Sequence, residues 1–258
     1  MKKQIYEQIT KKKEFSQLPK KDVEIAFSHF SKRQVSEDEK IRLTRELLHK
    51  VFGAFTSTKL LSPKDKDPKW ILRKHLSTRE RLIYYEKLYK RLFRGFNNEN
   101  SVIDLGAGVN GFSYNYLPKG VNYVAVEAIG QLVDLMNNYF KTKITKGNAF
   151  HFSLFELEKV KNIIAQQKRS RVVFLFKTLD SLEMLKRDYS KELLNEIVPL
   201  TDKIVVSFAT KSMISRKSFK VNRNWIIKFI EENFEVLDNF EWGDEKYIVF
   251  KGELSQMK

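Results

Sequence analysis

The stretch that decides the fold is Val102-Ile-Asp-Leu-Gly-Ala-Gly-Val-Asn-Gly111. Its first four residues have the apolar character of a buried strand, and they run directly into a loop with glycines at 106, 108 and 111. Glycine lets a backbone turn at positive φ and lets a ligand approach closely. A G-x-G-x-x-G spacing after a strand is typical of nucleotide-binding α/β folds, although alone it does not identify the nucleotide.

Similar apolar runs follow at the spacing expected of alternating strands and helices. The runs are 123–126, 172–176 and 204–208, and the helical stretches are 130–140, 153–167, 181–198 and 222–233. Two last runs, 234–238 and 247–250, are joined through Trp242-Gly-Asp-Glu245 and predict an antiparallel hairpin. Strands that alternate with helices favour a parallel sheet covered on both faces. We therefore predict an α/β fold with the layout of the class I, Rossmann-like methyltransferases: a mostly parallel seven-stranded sheet with a C-terminal hairpin.

The first 98 residues are helical in pattern and strongly basic. Ser36-Glu-Asp-Glu39 and Ser77-Thr-Arg-Glu80 are capping boxes, each predicting the start of a helix. Residues 1–98 have a net charge of +13, from 25 basic and 12 acidic residues, whereas residues 99–258 have +3, from 23 and 20. Such a concentration, with a sequence pI near 9.7, indicates a polyanion binder; a solvated lysine-rich face is the alternative. We predict two domains: a basic helical RNA-docking domain (1–98) and an α/β domain (99–258). Without the N-terminal helices, the α/β domain should still bind its cofactor at least in part.

The composition excludes several classes of protein. The 258 residues include no cysteine and only four histidines, which excludes disulfides, zinc–cysteine sites and thiol catalysis and leaves little for a metal cage. No apolar run approaches the roughly 20 residues of a membrane span, and the basic start lacks the apolar core of a secretory signal. We therefore expect a soluble, cytoplasmic monomer without a metal or a membrane partner.

Acidic residues near the glycine loop favour one cofactor. Asp104 lies two residues before the first glycine, where a carboxylate would repel a pyrophosphate but can serve the cationic amino-acid end of S-adenosylmethionine. Glu127 ends the second strand and can accept both ribose hydroxyls of either adenosine cofactor. Asn148 and Ala149, after a predicted short third strand, would flank the adenine. An NAD-type oxidoreductase that uses Glu127 and the three glycines remains the alternative.

Four segments have a pattern more specific than the generic fold. They are His75-Leu-Ser-Thr-Arg-Glu-Arg81 with Tyr89, Val102-Ile-Asp-Leu-Gly-Ala-Gly-Val-Asn110, Phe176-Lys-Thr-Leu-Asp-Ser-Leu-Glu183 and Val205-Val-Ser-Phe-Ala-Thr-Lys-Ser-Met-Ile-Ser-Arg216. With them the chain resembles the aminoglycoside-resistance 16S ribosomal RNA (guanine-N7) methyltransferases of the Arm/Rmt type, over most of residues 45–250. The resemblance implies an enzyme that uses S-adenosylmethionine to methylate guanine N7 in the decoding region of the small ribosomal subunit.

The resemblance also implies roles for individual residues. Arg81 would hold the cofactor carboxylate. The cofactor loop and its surroundings would be Asp104, Gly106, Ala107, Gly108, Glu127 and Ala128, with Lys177 and Glu183 beside the cofactor. Candidates for positioning the reaction are Lys177, Glu183, Ser207 and Phe208. The residues that would contact RNA are Lys211, Arg216, Lys217 and Lys220, in one loop after the fifth strand, for which a solvated basic loop is the alternative.

The chain departs from the family pattern at four places. Ala209 and Asp180 stand where the family has proline, Ile214-Ser215 where it has two glycines, and Glu127 where it has aspartate. The glycine loss changes backbone freedom in the predicted substrate loop. Another ribosomal guanine or another structured RNA therefore remains an alternative target. A non-catalytic RNA-binding protein remains an alternative class of protein.

Methylation at guanine N7 would need little acid–base chemistry. N7 has an exposed lone pair, so no proton must leave before attack, and alignment of the reacting atoms is the main requirement. The target base would have to leave its stack to reach the methyl group. His49 and His75 are accordingly expected to cap, pack or contact RNA rather than to act as bases.

Overall fold

The computed structural model describes residues 1–53, 56–61, 66–95, 100–143, 145–210 and 223–252. Its centre is a seven-stranded sheet in the order β3-β2-β1-β4-β5-β7-β6. The strands are β1 (Ser101–Leu105), β2 (Asn122–Glu127), β3 (Gly147–His151), β4 (Arg171–Phe176), β5 (Lys203–Ala209), β6 (Glu235–Trp242) and β7 (Glu245–Lys251). The first five pair in parallel, and β7 runs antiparallel between β5 and β6. The predicted α/β fold, with its C-terminal hairpin, is confirmed.

The helices form two groups. Before the sheet come α1 (Lys3–Thr10), α2 (Lys20–Ser31), α3 (Glu37–Val51), α4 (Pro68–Lys74), α5 (Leu76–Arg81) and α6 (Tyr85–Leu92). Between the strands come α7 (Gly130–Lys143), α8 (Leu157–Ala165), α9 (Leu179–Leu185), α10 (Tyr189–Ile197) and α11 (Asn224–Asn233). Their apolar stripes face the core: α6 buries four side chains at spacings of one to four residues, and among them Tyr89 stacks on Phe174 of β4 at a centroid distance of 5.9 Å.

Half of one of the two predicted capping boxes forms, since the Glu39 carboxylate bonds to Arg42 rather than to the Ser36 N–H. The Ser36 side chain accepts a hydrogen bond from the backbone N–H of Glu39 at 3.2 Å and starts α3. The prediction at Ser77 is wrong, because α5 already begins at Leu76 and the Ser77 hydroxyl accepts instead from the Arg81 guanidinium. This serine therefore positions an arginine rather than capping a helix.

The third strand lies later than the sequence predicted. Asn148 and Ala149 are within β3, in register with β2, rather than in a turn after a strand. Asn148 is exposed, and the backbone of Ala149 is bonded in both directions by the Asn137 side chain at 2.8 and 2.9 Å. The segment that follows β3 at the carboxyl edge of the sheet starts at Phe152, so the prediction that 148–149 follow the third strand is wrong.

The basic N-terminal helices pack directly on the sheet-bearing part of the chain. His29 Nε2 of α2 is 2.7 Å from the Leu185 carbonyl oxygen of α9, and the Gln131 side chain of α7 donates to the Lys13 carbonyl at 2.9 Å. The predicted boundary falls at residues 96–99, outside the described residues, so the division into two domains stays a prediction. No helix in the described part of the chain has the length and apolar character needed to cross a membrane.

Candidate functional site

A cavity lies where the carboxyl ends of β1, β2 and β4 meet the N-terminal helices. Its empty volume, including solvent at the mouth, is about 790 Å³. Eight of the residues predicted to bind the cofactor line it: Arg81, Asp104, Gly106, Ala107, Gly108, Glu127, Ala128 and Lys177. The N-terminal part of the chain contributes Asp22, Val51, Phe52, Thr56, His75 and Ser77. Open α/β sheets bind ligands at this edge, where the direction of strand succession reverses.

Two glycines of the loop leave no space for a side chain. Gly106 has φ +74° and Gly108 has φ +56°. A Cβ atom on Gly106 would lie 2.8 Å from Thr178 Oγ1, and one on Gly108 would lie 2.6 Å from His75 Nε2. Only glycine fits both the backbone conformation and the space, so the loop presents bare backbone to the cavity. Gly111 faces α7 instead and serves packing.

Glu127 is fixed at the end of β2 by backbone N–H groups. Its Oε2 accepts from the Gly108 N–H at 2.7 Å, and its Oε1 accepts from the Ile129 N–H at 2.9 Å. Burial raises the pKa of this carboxyl, while hydrogen bonds from the backbone of Ile129, Gly108 and Ala128 act in the opposite direction. Because each carboxylate oxygen has a second lone pair, Glu127 can still accept hydrogen bonds from a ligand in the cavity.

A polar network holds Asp104 beside the loop. Its Oδ2 accepts from Asn110 Nδ2 at 2.7 Å and from the Tyr123 hydroxyl at 2.5 Å. Asn110 in turn accepts from the Tyr85 hydroxyl of α6 at 2.7 Å. Burial raises the pKa of Asp104, against the two hydrogen bonds and the nearby positive charge of Arg81. The asparagine of the loop motif thus connects the loop carboxylate to the helical N-terminal part.

A buried ion cluster lies at the same end of the cavity. Glu245 Oε2 is 3.5 Å from Arg81 Nε and 3.4 Å from Lys177 Nζ, and the Ser207 hydroxyl donates to Glu245 Oε1. Lys177 also pairs with Glu80, so two cations face two carboxylates. Glu245 was not among the predicted site residues and was expected only in the hairpin. Its residue type gave no signal, since its role follows from the pairing of β7 with β5.

Lys177 has an unusual backbone conformation. Its φ is +58°, and its N–H donates at 3.1 Å both to the carbonyl and to the hydroxyl of Ser207. A non-glycine residue with positive φ is uncommon, and such strain concentrates at functional sites. The conformation ends β4 abruptly, and the ammonium group lies in the cavity wall beside Glu245.

His75 is buried and uncharged. Burial lowers the pKa of its imidazole to about 3, and the positive charges of Arg81 and Lys177 act in the same direction. The neutral ring packs against Gly108. An imidazole with so low a pKa is a poor general base near neutral pH, which agrees with the packing role expected for it.

Several predicted residues lie elsewhere. Glu183 does not line the cavity, because its carboxylate accepts from the backbone N–H groups of Asp188 and Ser190 at 2.7 and 2.8 Å and caps α10. Ser207 and Phe208 are buried on β5 and do not line it either, nor do Asn148 and Ala149. The predicted RNA contacts Lys211, Arg216, Lys217 and Lys220 lie outside the described residues. Within the described ranges, no cluster of three His, Asp or Glu side chains could hold a metal ion.

Asp180 and Ala209, which stand where the family has prolines, both accept hydrogen bonds from one side chain. Arg223 donates to both carboxylate oxygens of Asp180, at 2.7 to 3.1 Å, and its guanidinium also donates to the Ala209 carbonyl. Asp180 lies in the first turn of α9, Ala209 ends β5 and Arg223 precedes α11. The pair thus joins three elements at the carboxyl edge of the sheet, where proline would supply stiffness but no hydrogen-bonding side chain.

Two solved structures match nearly the whole chain. The 16S rRNA methyltransferase RmtF in complex with S-adenosyl-L-homocysteine superposes with a TM-score of 0.80 and 20% identity, covering 98% of this chain and 100% of the other. The 16S rRNA methylase RmtB gives 0.76 and 20%, with coverages of 97% and 98%. At these identities the likeness establishes the fold, including the arrangement of the N-terminal helices on the sheet.

The sequence comparisons establish the family. A 16S rRNA (guanine(1405)-N(7))-methyltransferase of Micromonospora rosea is 28% identical over 198 residues, which is 68% of either chain. One of Proteus mirabilis is 23% identical over 193 residues, 69% of this chain and 63% of its own length. Residues 66–239 match the family described as ribosomal RNA methyltransferase (FmrO). This match spans both the helix of Arg81 and the glycine loop, and with it the chain belongs to the FmrO family of ribosomal RNA methyltransferases.

Proposed function

We propose that the chain transfers a methyl group from S-adenosylmethionine to N7 of a guanine in the 16S RNA of the small ribosomal subunit. The observation that carries this proposal is the cavity itself, in which a bare glycine loop, Glu127 and Arg81 come together within a ribosomal RNA methyltransferase family. The relatives from Micromonospora and Proteus, which act at N7 of guanine 1405, support this choice of atom and RNA.

The residues of the cavity fit S-adenosylmethionine. Gly106 and Gly108 present backbone where any Cβ atom would collide with Thr178 or His75, and the Glu127 carboxylate suits the ribose hydroxyls. Asp104 suits the cationic amino group, and the Arg81 guanidinium suits the carboxylate, because charge-assisted hydrogen bonds are the strong ones. When bound, the cofactor supplies a methyl group activated by its sulfonium, and these residues bind and orient it.

The surrounding residues suit a reaction that depends on alignment. Arg81 is held by Ser77, Asn110 and Glu245, so its guanidinium keeps one position. Fixing reacting atoms in line can supply several kcal/mol of the barrier. The neutral His75 offers no efficient base, and methylation at N7 requires none. Lys177, with its strained backbone beside this cluster, is our candidate for positioning the target.

The partner in this proposal is the small ribosomal subunit. The +13 net charge of residues 1–98 supports contact with RNA phosphates, and the basic loop that contains Lys211 and Arg216 would contact the target nucleotide. We further propose a cytoplasmic monomer that confers aminoglycoside resistance. Another structured RNA is the alternative substrate, favoured by the loss of the family's two glycines at Ile214-Ser215.

Incubation of intact small subunits with radiolabelled S-adenosylmethionine tests the proposal. We expect label in 16S RNA, and N7-methylguanine revealed by borohydride and aniline cleavage followed by primer extension. Gly106→Val provides a control that should not label the subunit, and free 16S RNA should be a poorer substrate than the folded particle. Label in another RNA would contradict the choice of target, and binding of NAD instead of S-adenosylhomocysteine would contradict the enzyme class.

The proposed resistance has its own test. Expression of the chain in a susceptible bacterium should raise the inhibitory concentration of aminoglycosides that bind the decoding region, whereas Gly106→Val should not. A protein that methylates the subunit at a guanine outside the drug site would leave susceptibility unchanged, which would separate the activity from the resistance.

A further inference from the structure

Asp22, in the first turn of α2, is a buried carboxylate in the wall of the cavity. Its side chain is 2% exposed, and the residue lines the cavity from the N-terminal side. Within the described part of the chain, its Oδ2 has no hydrogen-bond partner. A buried polar atom without a partner is costly, and native proteins almost always satisfy such atoms. The atom therefore indicates a donor that a ligand would supply.

The surroundings of Asp22 strengthen this argument. Burial raises the pKa of its carboxyl to about 7, and the negative charges of Glu127 and Glu156 act in the same direction, against a hydrogen bond from Ser153. An acidic residue in a first helical turn needs no burial to favour its helix. Asp38 has that position in α3 and is exposed. The burial of Asp22 is thus not explained by its helix.

The position of Asp22 selects one part of the cofactor. The sheet order β3-β2-β1 places the carboxyl end of β2, with Glu127, between that of β1, with Asp104, and that of β3. Asp22 lies on the β3 side, because its carboxyl bonds to Ser153, which follows β3. In the proposed function, Asp104 serves the amino-acid end and Glu127 the ribose. The end beyond Glu127 is left for the base, and its neighbours are apolar: Ile129, Leu132, Leu154, Leu182 and Leu185 line the cavity. A flat ring would pack between these side chains.

We propose that Asp22 accepts a hydrogen bond from the exocyclic amino group of the cofactor's adenine. This inference rests on the proposed function, since it presumes an adenosine cofactor in the cavity. A hydrogen bond from a donor favours the ionised form of a carboxyl, which only accepts hydrogen bonds, and at the base end the amino group is the donor that adenine offers. Helix α2 of the basic N-terminal part then completes the cofactor site. Ser153, which follows β3, shares the position by its bond to the same carboxyl.

Calorimetric titration with two ligands tests this role without reliance on activity. The ligands are S-adenosylhomocysteine and S-inosylhomocysteine, whose base has a carbonyl oxygen in place of the amino group. At about pH 8.5, where Asp22 is ionised, the wild-type chain should bind the adenosine ligand at least about tenfold more tightly, because a carbonyl facing a carboxylate leaves two acceptors unpaired. In Asp22→Asn, the amide can turn its N–H₂ toward the carbonyl, so this preference should fall at least about fivefold. The matched control Asp38→Asn should keep the wild-type preference.

The outcomes separate this inference from the proposed function. Equal weakening of both ligands by Asp22→Asn would show a structural role only and overturn the inference. Equal affinity of the wild-type chain for the two ligands would overturn it without any variant, which covers the case in which Asp22→Asn fails to fold. No binding of S-adenosylhomocysteine by the wild-type chain would overturn the proposed function as well.

Discussion

Replacement of Gly106 by alanine tests how far the cavity depends on a residue without a side chain. At φ +74° the new Cβ atom would lie 2.8 Å from both Oγ1 and Cγ2 of Thr178. An L-residue in the left-handed region costs about 1–2 kcal/mol, and an overpacked contact costs about 1–3 kcal/mol more. We therefore expect Gly106→Ala to lower the free energy of unfolding by about 2–5 kcal/mol.

Gly95 offers a matched control for this change. Its φ is +79°, but a Cβ atom there would meet nothing within 4 Å. Gly95→Ala should thus cost only the backbone strain, about 1–2 kcal/mol. Urea unfolding of both variants measures the difference, which isolates the contact with Thr178. Thr178→Ser in the Gly106→Ala background removes Cγ2 and should recover part of the loss.

The same variant should also bind cofactor poorly. Relief of the contact requires the loop or the Thr178 side chain to shift, and Thr178 itself donates to the Leu105 carbonyl at 3.0 Å. The affinity for S-adenosylhomocysteine should fall at least tenfold in calorimetry, which corresponds to about 1.4 kcal/mol. A Gly106→Ala chain with the stability of Gly95→Ala and wild-type affinity would refute both the packing argument and the place of the loop in the site.

Three further predictions follow from the cavity wall. Arg81→Ala should weaken S-adenosylhomocysteine binding at least tenfold in calorimetry, about 1.4 kcal/mol, whereas the exposed control Arg33→Ala should not. Equal affinities of the two variants would contradict the assignment of Arg81 to the cofactor carboxylate. The folded pKa of Asp22, near 7 beside Glu127 and Glu156, exceeds its unfolded value, so the chain should lose stability as pH rises from 4 to 7, by up to about 4 kcal/mol from this group. Urea unfolding at several pH values should show that loss reduced in Asp22→Asn, and an identical pH profile would contradict the assignment. A chain without α1, α2 and α3 should lose cofactor affinity as well as subunit binding. Retained cofactor affinity would instead show that the sheet-bearing part binds the cofactor without these helices.

Most of the sheet could be predicted because its central strands are buried on both faces. β1, β2, β4 and β5 are continuous apolar runs, and each lies within one or two residues of its predicted bounds. The edge strand β3 has a half-exposed sequence, GNAFH, whose polar residues imitate a turn. The helix predicted at 181–198 is two helices, since Asp188 has φ +61°, a conformation that no apolar pattern reveals.

The cofactor loop and its acids were visible in the sequence because they are local. Asp104, the glycines and Glu127 each lie at the end of a strand, and parallel strands bring their carboxyl ends to one edge. Glu245 and Asp22 gave no such signal. Glu245 reaches Arg81 only because β7 pairs with β5 in one register, and Asp22 reaches the cavity only because α2 packs on α9. Both depend on tertiary packing.

The packing of the N-terminal helices changes the meaning of the charge asymmetry. Residues 1–98 have most of the net positive charge, and the same segment supplies Asp22, Phe52 and His75 to the cavity wall. In the proposed function, this segment would contact RNA on one side and the cofactor on the other. The two binding equilibria would then be joined, because any RNA contact that holds these helices in place would also complete the cofactor site. Such coupling is reciprocal: the factor by which RNA strengthens cofactor binding equals the factor by which the cofactor strengthens RNA binding. On this proposal the basic segment is one wall of the reaction site, and substrate recognition and cofactor retention would depend on the same helices.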